Sequence, residues 1–324
     1  MFHALLPLAL AVAWPAAAEV RITQGQQSAT IEINGEPFTT LHFGKQVGKP
    51  FLHPLRTASG KIITRGYPVD PQPGEDAGLP YQVGVWVGQQ SVNGVDYWEV
   101  DPNARPDRKV GSVVLKNVTG IEQAVDRGSI SFVSDWVEPD GAAVLTESRT
   151  MAFAAGAEDS RIIDIDVRIE PRQRISIADR TGGILGLRLG AAFAEINGGH
   201  PRIFSGDAGS DGVTGKRSPW LDYMTIMKGE RIGVLIMDHP RNYNFPTRWK
   251  VRTYASIFAT PFGELDYYNE APLKGPPPKT ARDAGVTLDK GEQMRFRYRI
   301  VIHSSTYDID QAWRDFCDLR SDQR

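Results

Sequence analysis

The chain has 324 residues, with Lys+Arg 37 against Asp+Glu 39, a formal net charge of -2 and a pI near 6.3. That balance leaves no basic excess to displace counterions from a phosphate backbone, which excludes nucleic acid as a general partner. Gly 32 and Pro 22 suit a turn-rich β protein, and the single cysteine, Cys317, leaves no internal disulfide, so stability must come from an apolar core.

Residues 5–14 form an apolar run too short to span a bilayer, and Ala16, Ala17 and Ala18 supply a small-residue cleavage site before Glu19. Residues 1–18 are therefore predicted to be a secretory signal peptide. The mature chain, residues 19–324, is predicted to be a single all-β domain, periplasmic or secreted, with no membrane span.

Strand patterns run through the chain in order. Residues 29–33 alternate and end at Asn34-Gly35, a hairpin signal, with residues 39–43 returning. Residues 51–67 read as a hairpin turning at Ser59-Gly60, and residues 69–80, rich in Pro, Gly and acid, as a surface loop. Residues 81–87 resume strand, Asn93-Gly94 gives a second tight turn, and residues 102–107 are loop. Short strands are predicted at 113–115, 122–125, 129–136 and 144–153, as in an antiparallel meander.

Residues 163–169 alternate most cleanly, with Ile163, Ile165, Val167 and Ile169 opposite Asp164, Asp166 and Arg168. Residues 296–302 repeat the pattern, with Arg295, Arg297 and Arg299 on the polar face; such a comb fits a solvated face that discourages edge pairing better than an anion grip. Two long loops, 198–219 and 262–285, have the length of lids or binding loops. Asp308, three residues before Gln311, caps a predicted helix over 308–319 whose apolar face is Ile309, Ala312, Trp313, Phe316 and Leu319.

Residues 232–254 are the densest in chemistry. The apolar run 232–237 predicts a buried strand, and Pro240 and Pro246 interrupt the segment after it. Between and just beyond them lie Arg241, Asn242, Tyr243, Asn244, Arg248 and Trp249, more donors and aromatics than a structural corner needs. Asp238 and His239 are candidate acid and base, with Asp222 a second carboxylate. Trp86, Trp98, Trp220 and Trp249 stand beside planar polar residues, a combination that covers the C–H face of a sugar while reading its hydroxyls. No hydrolase elbow, phosphate-binding loop or zinc-helix motif occurs, and His42, His53, His200, His239 and His303 are scattered, so no metal and no cofactor are expected.

The stretches 49–60, 64–68, 92–98, 220–223, 233–249 and 298–303, in that order, resemble the PmoA family of bacterial proteins. The resemblance covers nearly the whole mature chain. It implies a large antiparallel β-sandwich, like the sugar mutarotase supersandwich, and by association a carbohydrate role. Two places depart from the family: where its members carry His-Pro-His-His-Arg-Gly-Leu-Trp, this chain has Leu79-Pro80-Tyr81-Gln82-Val83-Gly84-Val85-Trp86, and Phe245 stands in place of a second family histidine after Asp238-His239-Pro240.

The sequence thus points to an exported carbohydrate-active β-sandwich, a hydrolase, lyase or epimerase acting on a small-molecule carbohydrate. Asp238, His239 and Asp222 would be the ionisable groups, with Arg56, Arg65, Trp86, Trp98, Trp220, Asn242, Arg248 and Trp249 holding substrate. The alternative is a sandwich that binds a sugar or a partner without catalysis.

Overall fold

The structure, a computed structural model, describes residues 19–44, 48–100, 108–270, 275–304 and 306–318, the side chains of residues 269 and 270 excepted. The predicted signal peptide, the predicted loop at 102–107 and Leu319, expected in the terminal helix, lie outside the described residues.

The first strands are β1 (Val20–Gln24), β2 (Ser28–Ile33), β3 (Glu36–His42), β4 (Phe51–Leu52) and β5 (Val85–Gln89). Next comes a meander of longer strands, β6 (Ser112–Ala124), β7 (Arg127–Val137), β8 (Ala143–Ala155) and β9 (Arg161–Pro171), then β10 (Ile175–Ile177) and β11 (Gly183–Arg188). The chain continues with β12 (His200–Ile203), α1 (Ser210–Val213), β13 (Trp220–Met227), β14 (Glu230–Asp238), β15 (Arg248–Arg252) and β16 (Ser256–Thr260). It closes with α2 (Leu265–Glu270), β17 (Val286–Leu288), β18 (Met294–His303) and α3 (Ile309–Cys317).

These strands build two eight-stranded sheets, β1-β2-β3-β4-β5-β11-β16-β15 and β12-β13-β14-β18-β9-β8-β7-β6, with β10 and β17 forming a separate pair. All the strand pairs within them are antiparallel. One core cluster draws on both sheets, including Leu41, Val85, Leu187 and Ile257 from the first and Ile130, Met151, Ile165 and Ile300 from the second. The protein is therefore a large antiparallel β-sandwich with a C-terminal helix. Among the described residues no helix is long and apolar enough to cross a membrane.

The turns obey their residue types. Asn34 and Gly35 take φ of 57° and 76°, the left-handed pair a tight hairpin needs, and join β2 to β3. Residues 113–115 and 122–124 are not two strands: both lie in β6, which absorbs register shifts at Leu115/Asn117 and Val118/Gly120, and Val125 makes only an isolated bridge to Glu19. The expected 51–67 hairpin is mostly irregular, reduced to β4 and the isolated bridges Arg56↔Ile62 and Thr64↔Leu189. The two long loops carry β12, α1 and α2.

The arginine comb is not an edge device. β18 lies inside its sheet, between β14 and β9, and Arg295 and Arg299 pair with Asp166 and Asp164 across the ladder. Asp308 caps α3 by accepting from the Gln311 N–H at 2.9 Å, but the Gln311 side chain turns to Asp315. The apolar stripe of α3 covers the outer face of the second sheet against Leu235, Met237 and Val301.

Candidate functional site

Strand alternation decides which residues can meet. On β14, Ile232, Val234 and Ile236 face the sandwich core, and Asp238 shares their side. Asp222 is paired with Leu235, which belongs to the opposite face under α3. The two carboxylates expected to act together therefore lie on opposite faces of one sheet.

Each is also fully engaged. Asp238, 1% exposed, accepts from Asn242 Nδ2 at 2.7 Å and from the Thr247 N–H at 2.8 Å. Burial still pushes its carboxyl up to about 7 against those two bonds. Asn242 returns its oxygen to the Arg297 N–H, so it pins the corner to β18. His239 accepts at Nδ1 from the Arg241 N–H and from Arg297 Nη2, and its ring abuts Phe316 edge-on. Burial, then the neighbouring arginines, push it down to about 4. Asp222, wholly buried, accepts from His303 Nε2 at 3.0 Å and from Arg202 Nε and Nη2 at 3.1 and 2.9 Å. Asp238, His239 and Asp222 thus serve the fold, and none of them lines the three main cavities among the described residues, one of which is lined by Tyr243, Asn244 and Phe245 of the same corner.

Most of the expected substrate-holding residues are structural too. Trp249, with no exposed surface, faces the core from β15 and donates Nε1–H to the Ser218 carbonyl at 2.9 Å. Arg248 is tied to Glu264 and the Gly215 carbonyl. Trp220 packs beneath α3. Trp86 and Trp98 form a buried aromatic cluster with Phe51, Val83 and Phe258 on the outer face of the first sheet. Trp86 lies over Gly186, where a Cβ would come within 2.3 Å of the indole, so the strand pair needs glycine there. Beside this cluster Lys49 donates to the Trp98 carbonyl, and burial pushes its amine down to about 7. Gln82, one of the residues that depart from the resembled family, accepts from Ser256 Oγ at 2.9 Å.

Arg65, 2% exposed, clips a strap rather than a ligand. It donates to the carbonyls of Asp76, Gly78, Leu79 and Gln82 at 2.6–3.1 Å. Glu75 fastens the other end by accepting from the N–H groups of Gly66, Tyr67 and Gln72. Arg188 of β11 donates to Asp76 at 3.0 Å and so ties residues 66–82 to the outer face of the first sheet.

The strap walls a cavity of about 670 Å³, within the usual range of small-molecule sites. Its floor includes Thr40, His42, His53, Arg56 and Thr64; Gly190 and Ala191 close one side, and Ile62 and Val69 form an apolar rim. Ile62 and Val69 are 44% and 43% exposed, large apolar residues left open where the cavity meets solvent. Of the residues nominated from sequence, only Arg56 is here.

Topology brings the two histidines together. His42 ends β3 and is the register partner of Phe51, on which its ring stacks at 4.9 Å. His53 comes directly after β4, and His42 Nε2 lies 2.8 Å from its carbonyl oxygen. A carbonyl only accepts, so in neutral His42 the hydrogen sits on Nε2 and the Nδ1 lone pair is free. Thr64 Oγ1 accepts from the Leu55 N–H at 3.1 Å and lies 3.1 Å from His53 Nδ1. When the Thr64 hydroxyl donates its own hydrogen to that Nδ1, the His53 hydrogen sits on Nε2.

Both rings are neutral at neutral pH. Burial pushes His53 down to about 4, helped by His42 and Arg56 and opposed by Asp70 and Glu75. Burial also lowers His42, with its bond to the His53 carbonyl in partial opposition. Both histidines line the cavity, where His42 Nδ1 can serve as a base and His53, with its hydrogen on Nε2, as a neutral donor. Neither histidine stands out by its neighbours in sequence; β3 and β4 make them neighbours in space. The available signal was the polar face of β3, Thr40 and His42 about Leu41.

The family model described as "Family of unknown function (DUF6807)" matches residues 28–316, and the chain belongs to that family. No curated protein matches it. Among solved structures it is similar to a galactose mutarotase-like protein from Lactobacillus casei, with 8% identity, 88% of this chain and 100% of that one covered, and a TM-score of 0.36. It is also similar to a polysaccharide lyase, with 10% identity, 93% of this chain and 35% of the lyase covered, and a TM-score of 0.30.

Proposed function

For this member of the DUF6807 family we propose a carbohydrate-active enzyme, exported by its N-terminal segment, that moves a proton on a sugar in the cavity under the 66–82 strap. The observation that carries this reading is the meeting of His42 and His53 in one cavity, with His42 Nε2 engaged by the His53 carbonyl and His53 Nδ1 by Thr64, which leaves the opposite nitrogen of each ring for a substrate. His42 Nδ1 takes a proton from the substrate, and His53 Nε2–H donates to the oxygen on which charge develops. A neutral donor suits that role because it need not lose its own proton. An epimerase or lyase fits better than a hydrolase, since Glu75 is committed to backbone N–H groups and leaves no carboxylate pair free in the cavity.

The rim formed by Ile62 and Val69 gives a sugar ring an apolar surface, the part assigned from sequence to indoles. A sandwich that binds sugar without turnover is the second reading, favoured by Tyr81, Gln82 and Val83 standing where the resembled family has histidines and arginine. Incubating the purified protein in D₂O with hexoses, hexuronates and their oligomers, followed by proton NMR, tests the proposal. Conversion of a sugar, or loss of one of its carbon-bound proton signals, is expected. Binding without either favours the second reading, and neither binding nor conversion contradicts both.

A further inference from the structure

We propose that the substrate is a carboxylated sugar, a hexuronate, whose carboxylate is held by Arg56 beside His42 and His53. The inference rests on the acid–base reading of this cavity and adds the class of molecule that enters it.

Arg56 is half-buried in the cavity wall, and among the described residues no carboxylate pairs with its guanidinium. Of the other cations nearby, Lys228 lies exposed at the cavity's edge, and three are engaged. Lys61 pairs with Glu230, Arg65 holds carbonyls of the strap, and Arg188 bonds to Asp76 and to the Tyr254 carbonyl. Of the cavity's two acids, Glu75 is saturated by three backbone N–H groups, and Asp70 is exposed on the strap. A guanidinium partly removed from water and left without an anion is matched best by a carboxylate from outside, which its planar fork binds through two oxygens.

The same placement makes the chemistry reachable. Arg56 and His53 are close enough for the arginine's charge to act on the imidazole. With its carboxylate neutralised by Arg56, a uronate has an acidified C–H at the carbon α to that group. The C–H bond breaks, the proton goes to His42 Nδ1, and the electron pair forms the double bond of an enediolate. The enediolate oxygens face Arg56 and His53 Nε2–H. Return of a proton from the His42 imidazolium closes the cycle with no oxidant or co-reactant, and in D₂O it leaves deuterium on that carbon.

The test compares galacturonate and glucuronate with their methyl esters and with galactose and glucose, by calorimetry and by proton NMR in D₂O. The free acids should bind roughly 10- to 100-fold more tightly than esters or hexoses, the range of a charge-assisted hydrogen bond. Arg56→Gln should remove that preference, and Arg56→Lys should restore part of it, which separates lost charge from lost folding. Equal binding of acids, esters and hexoses, unchanged by Arg56→Gln, overturns the uronate inference and leaves the acid–base reading standing. Binding of acids without loss of the α-proton signal overturns the proton transfer but not the carboxylate site. If no sugar of any class binds or reacts, both readings fall.

Discussion

Replacing Trp249 by alanine is expected to lower stability by about 3–5 kcal/mol, the usual cost of emptying a buried aromatic site. The indole has no exposed surface, packs in the core cluster and gives its N–H to Ser218. Removing it leaves a cavity at the edge of the first sheet and an unpaired carbonyl, two penalties in one place. Chemical denaturation should show the midpoint falling sharply with its slope little changed. A Trp249→Ala protein of normal stability that had lost its ligand would place the indole in a binding site and return the functional centre to the 239–247 corner.

The second large effect is on rate. His42→Asn is expected to reduce turnover about 10²- to 10⁴-fold, the range a positioned general base supplies. The ring is half-buried and its stacking on Phe51 is modest, so folding should survive. The pH profile of kcat/KM should carry the same base. Burial lowers His42 below the ordinary imidazole value of 6.5, so the acid limb should fall below that pH, with a plateau through neutrality. His53 adds a stability limb. Its folded pKa is depressed to about 4 from 6.5, so the unfolded chain binds more protons between those values. The contribution is present above 6.5 and is lost as pH falls towards 4. An acid limb unaltered in position and depth by His42→Asn would assign the base to another group.

Much of the fold was legible because strand periodicity is a local property. The alternation of Ile163, Ile165 and Val167 against Asp164 and Asp166 identifies β9, and Asn34-Gly35 locates the β2–β3 turn by backbone chemistry alone. The Asp308 cap and apolar stripe of α3 were readable for the same reason. The bulges that make β6 one strand were not, because they depend on what β7 presents across the ladder.

The site was far less legible. A polar, aromatic-rich segment looks the same in sequence whether it faces a ligand or satisfies its own backbone. Asp238, Asn242 and Thr247 do the latter. Nor does composition say which face a carboxylate takes, and Asp222 and Asp238 end on opposite faces because their strands pair in a particular register. His42 and His53, by contrast, carry no local motif. They meet because β3 and β4 pair antiparallel with His42 opposite Phe51, and because the strap closes over them.

The central claim is that ligand binds at His42, His53 and Arg56, and a crystal structure with a bound hexuronate tests it most directly. The expected result is a sugar ring under the 66–82 strap, its carboxylate on Arg56 and an oxygen within hydrogen-bond distance of His53 Nε2. A sugar seated instead on the 239–247 corner, or on the outer face of the second sheet, would contradict it.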